Sequence, residues 1–355
     1  MSTTMTTPMP LEGSFSPDLL PLPAPAQLPE GPAPATTRNF TRHKHAFVAL
    51  MSALMALVVL TVVAFHGYIA WMVAYPYVAP LTSNPKLAKN LDYTDVTFPS
   101  MSGRTTVGGW YIPASKAGSG TKQSERTIVF SHGYGANREE TWVPMYDLAN
   151  LLHKLHYNVL MFDYGYASAK YKAPATGGYE ESQQLLAAVK YARDHGSKEV
   201  VVWGFSMGAG TALQAALQTN QIDALVLDSL FLPSPDSLFE NVRQIIDLPR
   251  FPSLPMIEKL LPLWTGVDFN KIPASSVQST SYDIPIFIMH GTKDAKASYA
   301  TAEAIASKQT NPLSREWIVN GGSHELLFRE HPKEYIQRAA LFLSQVNQSL
   351  DADNS

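Results

Sequence analysis

The sequence contains 355 residues, enough for one large domain with extensions, and it carries a formal net charge of −3. Only 16% of the residues are charged and no basic stripe runs along the chain, which excludes the usual signature of a nucleic-acid-binding protein. Cysteine is absent, so disulfides, a thiolate nucleophile and cysteine-based zinc sites are excluded. The histidines lack metal-binding spacing and the glycines at 204–210 lack a nucleotide-binding lysine, so we expect no metal and no cofactor.

The amino-terminal region changes abruptly from polar to apolar. Residues 1–45 are rich in proline, threonine and alanine without apolar periodicity, which predicts a disordered, proline-rich tail. Residues 46–75 follow, and the run 46–65 within them is apolar apart from Ser52 and Thr61. Because about 20 apolar residues cross the hydrocarbon core of a bilayer, we expect a transmembrane anchor at 46–75.

The charges around the apolar run predict its orientation. Arg38, Arg42 and Lys44 come just before it, whereas Lys86 and Lys89 follow well after it. The positive-inside rule then places the tail in the cytoplasm and the rest of the chain outside the cell membrane. A cleavable signal peptide is the alternative, but the long leader and the long apolar run favour an uncleaved, single-pass anchor.

After a linker at residues 76–91, short apolar runs alternate with helical patterns. Strands are predicted at residues 94–98, 105–112, 126–131, 157–162, 199–203, 223–228, 284–289 and 315–319. Helices are predicted at residues 142–152, 179–194, 207–217 and 335–346. This alternation indicates a mostly parallel sheet covered on both faces, in a domain over residues 92–348 that is followed by a short tail at 349–355.

The alternation stops at about residues 229–283, a segment that we call the insert. It carries seven prolines and the aromatic residues Phe231, Phe239, Phe251, Trp264 and Phe269. Its composition predicts an irregular, partly helical excursion between two strands of the sheet. Such a segment would either wall a substrate pocket above the strand ends or pack across the sheet, and the sequence leaves both open.

A Gly-Phe-Ser-Met-Gly motif at residues 204–208 lies between a predicted strand and a helix rich in small residues. So sharp a turn strains its central residue, Ser206, and leaves no room for side chains two positions before or after it. The hydroxyl is then held above the sheet at the N-terminus of the helix. We therefore predict Ser206 as a nucleophile.

A serine nucleophile needs a base that takes its proton and an acid that orients the base. Where a strand, a serine and a helix meet in this way, the acid and then the histidine follow on later loops. Asp294 and His324 lie after the last two predicted strands and are the predicted acid and base. Asp228, at the end of an earlier strand, is the alternative acid. His290 is expected to be structural, and Glu325 to be a surface charge or the start of a helix.

The tetrahedral intermediate of acyl transfer needs two backbone N–H donors. We predict the first oxyanion donor at Met207, directly after the nucleophile and at the start of its helix. The second is predicted at Tyr134, in the glycine-containing loop after the strand at 126–131.

Over about residues 92–346 the chain resembles the α/β-hydrolase superfamily of serine hydrolases. The resemblance rests on Ser-His-Gly-Tyr-Gly-Ala-Asn-Arg at 131–138, Gly-Phe-Ser-Met-Gly-Ala-Gly at 204–210, His-Gly-Thr-Lys-Asp at 290–294 and Gly-Ser-His at 322–324. Within the superfamily it looks like the membrane-anchored bacterial esterase or lysophospholipase-like group related to prolyl-oligopeptidase catalytic domains. The turn that begins at Asp163 lacks the arginine and second glycine of that group, in a loop that shapes the pocket rim.

The resemblance implies an α/β-hydrolase fold, with a mostly parallel eight-stranded sheet and helices on both faces, preceded by one transmembrane helix. It also implies a membrane-anchored serine hydrolase of the carboxylesterase or lipase type, which cleaves small-molecule or lipid esters through an acyl-enzyme on Ser206. A peptidase, thioesterase or deacylase would use the same triad of Ser206, Asp294 and His324. A membrane-tethered scaffold is the alternative outside the enzymes, and an intact triad disfavours it.

Overall fold

A computed structural model describes residues 31, 38–115, 123–140 and 142–353. The chain divides into two units, Met1–Val58 and Val59–Ser355. Most of the tail predicted to be disordered lies outside the described residues. Helix α1 (Arg38–Ala74) nevertheless begins within the stretch assigned to that tail.

Helix α1 is long and apolar enough over Arg42–Ala74 to cross a membrane. Most of its large apolar side chains are exposed, among them Phe47, Leu50, Leu54, Leu57 and Leu60. Apolar side chains on all sides are typical of a helix whose surroundings are apolar. Over Arg42–Ala74, where the burial of side chains is described, only the last turns bury them, beginning with His66.

The second unit contains eight strands and most of the helices. The strands are β1 (Thr94–Pro99), β2 (Thr106–Ile112), β3 (Arg126–Ser131), β4 (Asn158–Asp163), β5 (Glu199–Phe205), β6 (Ala224–Asp228), β7 (Ile286–Gly291) and β8 (Arg315–Val319). The helices after α1 are α2 (Pro85–Lys89), α3 (Met145–Lys154), α4 (Tyr179–Asp194), α5 (Met207–Ala216), α6 (Pro235–Arg243), α7 (Arg250–Thr265), α8 (Ala274–Ser279), α9 (Tyr299–Ala306), α10 (Leu327–Glu330) and α11 (Pro332–Asp353). Thus α2 lies in the expected linker, and α11 continues into the expected C-terminal tail.

The eight strands form one sheet in the order β1-β2-β4-β3-β5-β6-β7-β8. The β1–β2 and β2–β4 pairs are antiparallel, and every other pair is parallel. Strands β4, β5, β6 and β7 are buried along their whole length, as expected for strands covered on both faces. This confirms the predicted mostly parallel, eight-stranded sheet.

Each face of the sheet has its own apolar core. Helices α4, α5, α8 and α9 pack on one face, and helices α3 and α11 pack on the other. The insert lies between β6 and β7 and forms α6, α7, a 3₁₀ turn at Phe269–Lys271 and α8.

The predicted site residues come after β3, β5, β7 and β8. The carboxyl ends of parallel strands share one edge of a sheet, so this topology gathers four separate loops at that edge.

Candidate active site

Ser206 lies at the sharp turn between strand β5 and helix α5. Its backbone has φ +50° and ψ −119°, a conformation that non-glycine residues rarely adopt. A Cβ atom on Gly204 would lie 2.6 Å from the Cα of Ala209. A Cβ atom on Gly208 would lie 2.1 Å from the carbonyl oxygen of Ser131. Backbone atoms lie too close to both positions for a side chain, so glycine is required at each. The surrounding packing maintains the strained backbone of Ser206.

Ser206, His324 and Asp294 form one chain of hydrogen bonds. The Nε2 atom of His324 lies 2.9 Å from Oγ of Ser206, and its Nδ1 atom lies 2.6 Å from Oδ2 of Asp294. Because a carboxylate only accepts hydrogen bonds, Nδ1 carries the proton and Nε2 accepts the serine hydroxyl. Ser206 retains 8% of its surface exposed. In this arrangement a histidine can take the proton of a serine.

The carboxylate of Asp294 is held by its own loop and by His290. The N–H groups of Lys296 and Ala297 each donate to Oδ1 at 2.8 Å, and Nε2 of His290 lies 3.1 Å from Oδ2. Burial alone would raise the pKa of Asp294, but the hydrogen bonds from His290 and His324 outweigh it and hold the pKa below its ordinary value. Asp294 therefore stays ionised beside the base, and His290 contacts the acid directly.

Asp228, the alternative acid, lies at the end of β6 and binds other groups. Its Oδ2 atom accepts the hydroxyl of Tyr335 at 2.8 Å, and its Oδ1 atom accepts that of Ser229 at 2.9 Å. The Oγ atom of Ser229 in turn accepts the N–H of Glu325, the residue after His324, at 2.8 Å. Asp228 therefore supports the histidine loop, whereas the imidazole of His324 donates its hydrogen bond to Asp294.

The two predicted oxyanion donors lie on segments that flank the serine. Met207 is the first residue of α5, where N–H groups have no acceptor within the helix. Tyr134 lies in the loop after β3. That loop approaches the nucleophile closely, because a Cβ atom on Gly133 would be 3.4 Å from the Cβ of Ser206.

Hydrogen bonds fix the backbone of the loop after β3. The Nε2 atom of His132 accepts the N–H of Tyr164 at 3.0 Å, so Nδ1 carries the proton and donates to the carbonyl of Gly133 at 3.0 Å. The Tyr166 hydroxyl donates to the same carbonyl at 2.9 Å. Burial lowers the pKa of His132 to about 4 and keeps its ring neutral. The loop is therefore ordered before any substrate binds.

A family model for the α/β hydrolase fold matches residues 126–260. Among solved structures, the esterase Pf2001 of Pyrococcus furiosus superposes with a TM-score of 0.60 at 24% identity, over 76% of this chain and 98% of that one. Est1E of Butyrivibrio proteoclasticus superposes with a TM-score of 0.52 at 15% identity, over 72% and 99%. The protein has the α/β-hydrolase fold. The resemblance to the α/β-hydrolase superfamily and the predicted fold class are confirmed.

Sequence relatives match this chain over much of its length. The protein YfhR of Salmonella typhimurium is 24% identical over 263 residues, which cover 69% of this chain and 81% of the relative. Rv2307c of Mycobacterium tuberculosis is 25% identical over 219 residues, which cover 61% and 68%. These likenesses, all at 25% identity or less, support the α/β-hydrolase fold over the second unit of the chain.

Two buried glutamates lie beside Gly133 and were not expected from the sequence. Glu140 is 5% exposed, and its Oε2 atom accepts the N–H of Gly133 at 2.9 Å. Glu325 is 3% exposed, and its Oε1 atom would lie 2.6 Å from a Cβ atom on Gly133. Burial first, and then the charge of Glu140, raise the pKa of Glu325 well above its ordinary value.

The expectation that Glu325 is a surface charge or begins a helix is wrong. Its backbone has φ +56°, and helix α10 begins after it, at Leu327. Its Oε1 atom has no hydrogen-bond partner among the described residues.

Among the described residues, no group of three or more histidine, cysteine or acidic side chains is arranged to hold a metal ion.

The turn after β4 is stabilised by an arginine from a different loop. The guanidinium of Arg138 lies 2.7 Å from Oδ2 of Asp163, and the backbone N–H of Arg138 donates to Oδ1 at 2.8 Å. Both side chains are buried, with 10% and 5% of their surfaces exposed. Arg138 thus pairs with the charge of Asp163, although the turn itself lacks the arginine found in the group that the chain resembles.

The C-terminal end of α1 contacts the loop that carries Tyr134. The Tyr134 hydroxyl donates to the carbonyl of Val73, in the last turn of α1, at 2.7 Å. Further along the same loop, the side-chain amide of Asn137 donates to the carbonyl of Ala79 at 2.8 Å. The last turn of α1 and the segment after it therefore contact the loop that carries Tyr134.

Proposed function

We propose that the protein is a membrane-anchored serine hydrolase that cleaves carboxylic esters through an acyl-enzyme on Ser206. The observation that carries the proposal is the hydrogen-bonded chain from Ser206 through His324 to Asp294. A serine in a strained strand-to-helix turn, joined to an imidazole and a buried carboxylate, is the arrangement that acyl transfer requires.

In the first half of the reaction, Oγ of Ser206 attacks the ester carbonyl while Nε2 of His324 takes its proton. The imidazolium that forms is stabilised by Asp294, which stays ionised because its pKa is lowered. The carbonyl oxygen becomes an oxyanion, and the N–H groups of Met207 and Tyr134 donate to it. The C–O bond then breaks, and His324 gives the proton to the departing alcohol.

In the second half, water replaces the alcohol. His324 removes a proton from the water as the oxygen attacks the acyl carbon, and the same two N–H groups stabilise the second oxyanion. The bond to Oγ breaks, the proton returns to Ser206, and the carboxylic acid leaves. No cofactor takes part in either half.

We further propose that α1 anchors the enzyme in the cell membrane as a single pass. The length and apolar surface of α1 support an anchor. The positive residues before the apolar run support a cytoplasmic N-terminus and a catalytic domain outside the membrane. A lipid ester is therefore the favoured substrate class, because the end of α1 lies next to the loop of Tyr134.

A substrate panel tests the proposed reaction. Purified full-length protein is assayed with acyl esters, thioesters and aminoacyl amides of matched chain length, with Ser206→Ala as the control. We expect the esters to be hydrolysed fastest, and Ser206→Ala to lose that activity. Faster hydrolysis of the amides or the thioesters would be consistent with the same triad but would indicate a peptidase, or a thioesterase or deacylase, in place of an esterase. No turnover of any of the three classes would favour the scaffold.

A further inference from the structure

The last turns of α1 are packed against the insert rather than exposed. Ile69 lies in an apolar cluster with Phe239, Leu248 and Ile257 of the insert. Ala70 and Ala74 lie in a second cluster with Leu261, Phe269 and Ile272. Ile69, Ala70 and Ala74 are each at most 2% exposed, so this contact is as close as a protein interior. The insert is therefore attached to the end of the proposed anchor.

Two polar contacts fix helix α7 alongside α1. The Nε2 atom of His66 lies 3.0 Å from the hydroxyl of Ser253, in the first part of α7. The indole N–H of Trp264, at the other end of α7, donates to the carbonyl of Gly67 at 3.0 Å. Because the two contacts reach neighbouring residues of α1, both ends of α7 lie at the same height along α1.

Large apolar side chains of the insert remain exposed, three of them within two residues of Ser253 or Trp264. Phe251, two residues before Ser253, is 82% exposed, and Leu263, beside Trp264, is 76% exposed. Trp264 itself is 43% exposed, and Ile245, in the connection between α6 and α7, is 80% exposed. Soluble proteins seldom expose so many large apolar side chains together unless a partner covers them. We call Ile245, Phe251, Leu263 and Trp264 the apolar edge.

The apolar edge continues onto exposed side chains of α1. Leu263 and Trp264 line a shallow apolar hollow together with Val63, Ala64, Gly67, Tyr68 and Trp71. Tyr68 and Trp71 are themselves 58% and 39% exposed, and their rings are stacked. Tryptophan and tyrosine prefer the zone where the hydrocarbon of a bilayer meets the headgroups. The aromatic part of α1 therefore shares one surface with Leu263 and Trp264 of the apolar edge.

The length of α1 places this surface at the boundary of a membrane. The apolar run at 46–65 supplies the roughly 20 residues that cross the hydrocarbon core. The next turn of α1 carries His66 and Gly67, the two residues that fix the ends of α7. An anchored protein would thus hold α7 at the depth where α1 leaves the hydrocarbon.

We propose that the apolar edge is embedded in the headgroup region of the same bilayer that α1 crosses. The inference rests on the membrane anchoring under Proposed function and is independent of the esterase reaction. The bilayer surface is then a binding partner of the insert. Because the Tyr134 hydroxyl binds the last turn of α1, the loop of Tyr134 is held at a fixed distance from that surface, where ester-containing lipids are within reach.

Fluorescent labelling tests the depth of the apolar edge directly. The chain has no cysteine, so Phe251→Cys and Leu263→Cys each create a single site for a thiol-reactive, environment-sensitive fluorophore. Leu341→Cys is the matched control, because Leu341 is an exposed leucine on α11. Leu54→Cys reports on the anchor itself. Full-length variants are reconstituted in vesicles of phosphatidylcholine and phosphatidylglycerol that contain a nitroxide-labelled phosphatidylcholine. Circular dichroism and thermal unfolding, which do not depend on the proposed reaction, check that each variant is folded.

We expect the nitroxide lipid to quench the labels at Phe251 and Leu263 strongly, and aqueous iodide to quench them weakly. The label at Leu341 should behave in the opposite way. If the nitroxide lipid quenches the label at Leu54, while the labels at Phe251 and Leu263 behave like the label at Leu341, the anchoring is supported and this inference is overturned. Shielding from iodide without quenching by lipid would show that a second copy of the chain covers the edge. If iodide, and not the nitroxide lipid, quenches the label at Leu54, the anchoring and this inference both fail.

Discussion

The hydroxyl of Tyr134 donates a hydrogen bond to the carbonyl of Val73 at 2.7 Å. Tyr134 lies in the loop after β3 and supplies a proposed oxyanion donor through its backbone, whereas Val73 lies in the last turn of α1. One side chain therefore connects the loop after β3 to the end of the helix proposed as an anchor. The last turn of α1 is thus a structural part of the domain that carries Ser206.

Replacement of Tyr134 by phenylalanine tests that connection. Tyr134→Phe removes the hydroxyl but keeps the ring and the backbone N–H, so the proposed oxyanion donor remains. We expect a loss of about 1 kcal/mol in stability and a decrease in kcat of up to about fivefold, with KM little changed. Tyr299→Phe is the control, because Tyr299 is equally exposed at 39% and its hydroxyl binds no described residue. Equal effects of the two substitutions would remove any role for the contact with α1.

The two candidate acids make different predictions for activity. Asp294 accepts from the imidazole of His324, so Asp294→Asn should change the tautomer and lower kcat/KM by roughly 10⁴-fold. Asp228 binds Tyr335 and Ser229, so Asp228→Asn should mainly destabilise the fold, by about 1–3 kcal/mol. The assay is ester hydrolysis at pH 7 together with thermal unfolding. A large activity loss in Asp228→Asn alone would reverse the assignment of the acid.

The buried carboxyl of Glu325 should make stability depend on pH. Its pKa is raised in the folded protein, whereas an unfolded glutamate titrates near 4.3. The folded state therefore holds more protons than the unfolded state above about pH 4, and stability falls as the pH rises toward the raised pKa. Glu325→Gln mimics the neutral acid and cannot ionise. We expect the Tm of Glu325→Gln minus that of the wild type to increase from pH 4.5 to pH 8.

The control for this pH experiment is Glu303→Gln, at an exposed position on α9. Its Tm should follow that of the wild type at every pH. Parallel curves for Glu325→Gln and the wild type would mean that Glu325 is already ionised in the folded protein at low pH.

The ion pair of Arg138 and Asp163 should contribute far more to stability than a similar pair at the surface. Arg138→Met leaves a buried carboxylate without its partner, and we expect it to cost about 3–5 kcal/mol in the free energy of unfolding. Arg338→Met is a close control, because Arg338 also makes a 2.7 Å ion pair and lies over a tryptophan ring. Its pair with Glu334 is about half exposed, so its loss should cost about 1 kcal/mol or less.

Denaturant unfolding of both arginine variants measures this difference. Similar losses in Arg138→Met and Arg338→Met would show that water reaches the Asp163 carboxylate. In that case the ion pair of Arg138 and Asp163 would have no special role in stabilising the turn after β4.

The sheet could be predicted because its strands are buried on both faces and appear in the sequence as short apolar runs, as β5 does. Asp294 and His324 could be located because parallel topology places the residues after β7 and β8 at one edge of the sheet. The burial of Glu325 could not be predicted, because the sequence around a single glutamate does not indicate whether other segments of the chain will cover it. The contact of His66 with Ser253 joins residues 187 positions apart, and no local pattern in the sequence encodes such a pairing.

The limits of helices were also hard to predict. The apolar run that defines the anchor begins after α1 has already started at Arg38, because polar residues can extend a helix beyond its apolar part. Helix α11 likewise continues to Asp353 after its last buried residue, Val346. Apolar periodicity marks the packed part of a helix and not its ends.

Labelling with a fluorophosphonate tests the central claim most directly, because the probe reacts with a serine only when a base activates it. Full-length wild-type protein is compared with Ser206→Ala, His324→Ala and Asp294→Ala, each checked for folding by thermal unfolding. The account predicts labelling of the wild type, no labelling of Ser206→Ala, and greatly slowed labelling of the other two. Unchanged labelling of Ser206→Ala, or no labelling of folded wild-type protein, would contradict the proposal that Ser206 is an activated nucleophile.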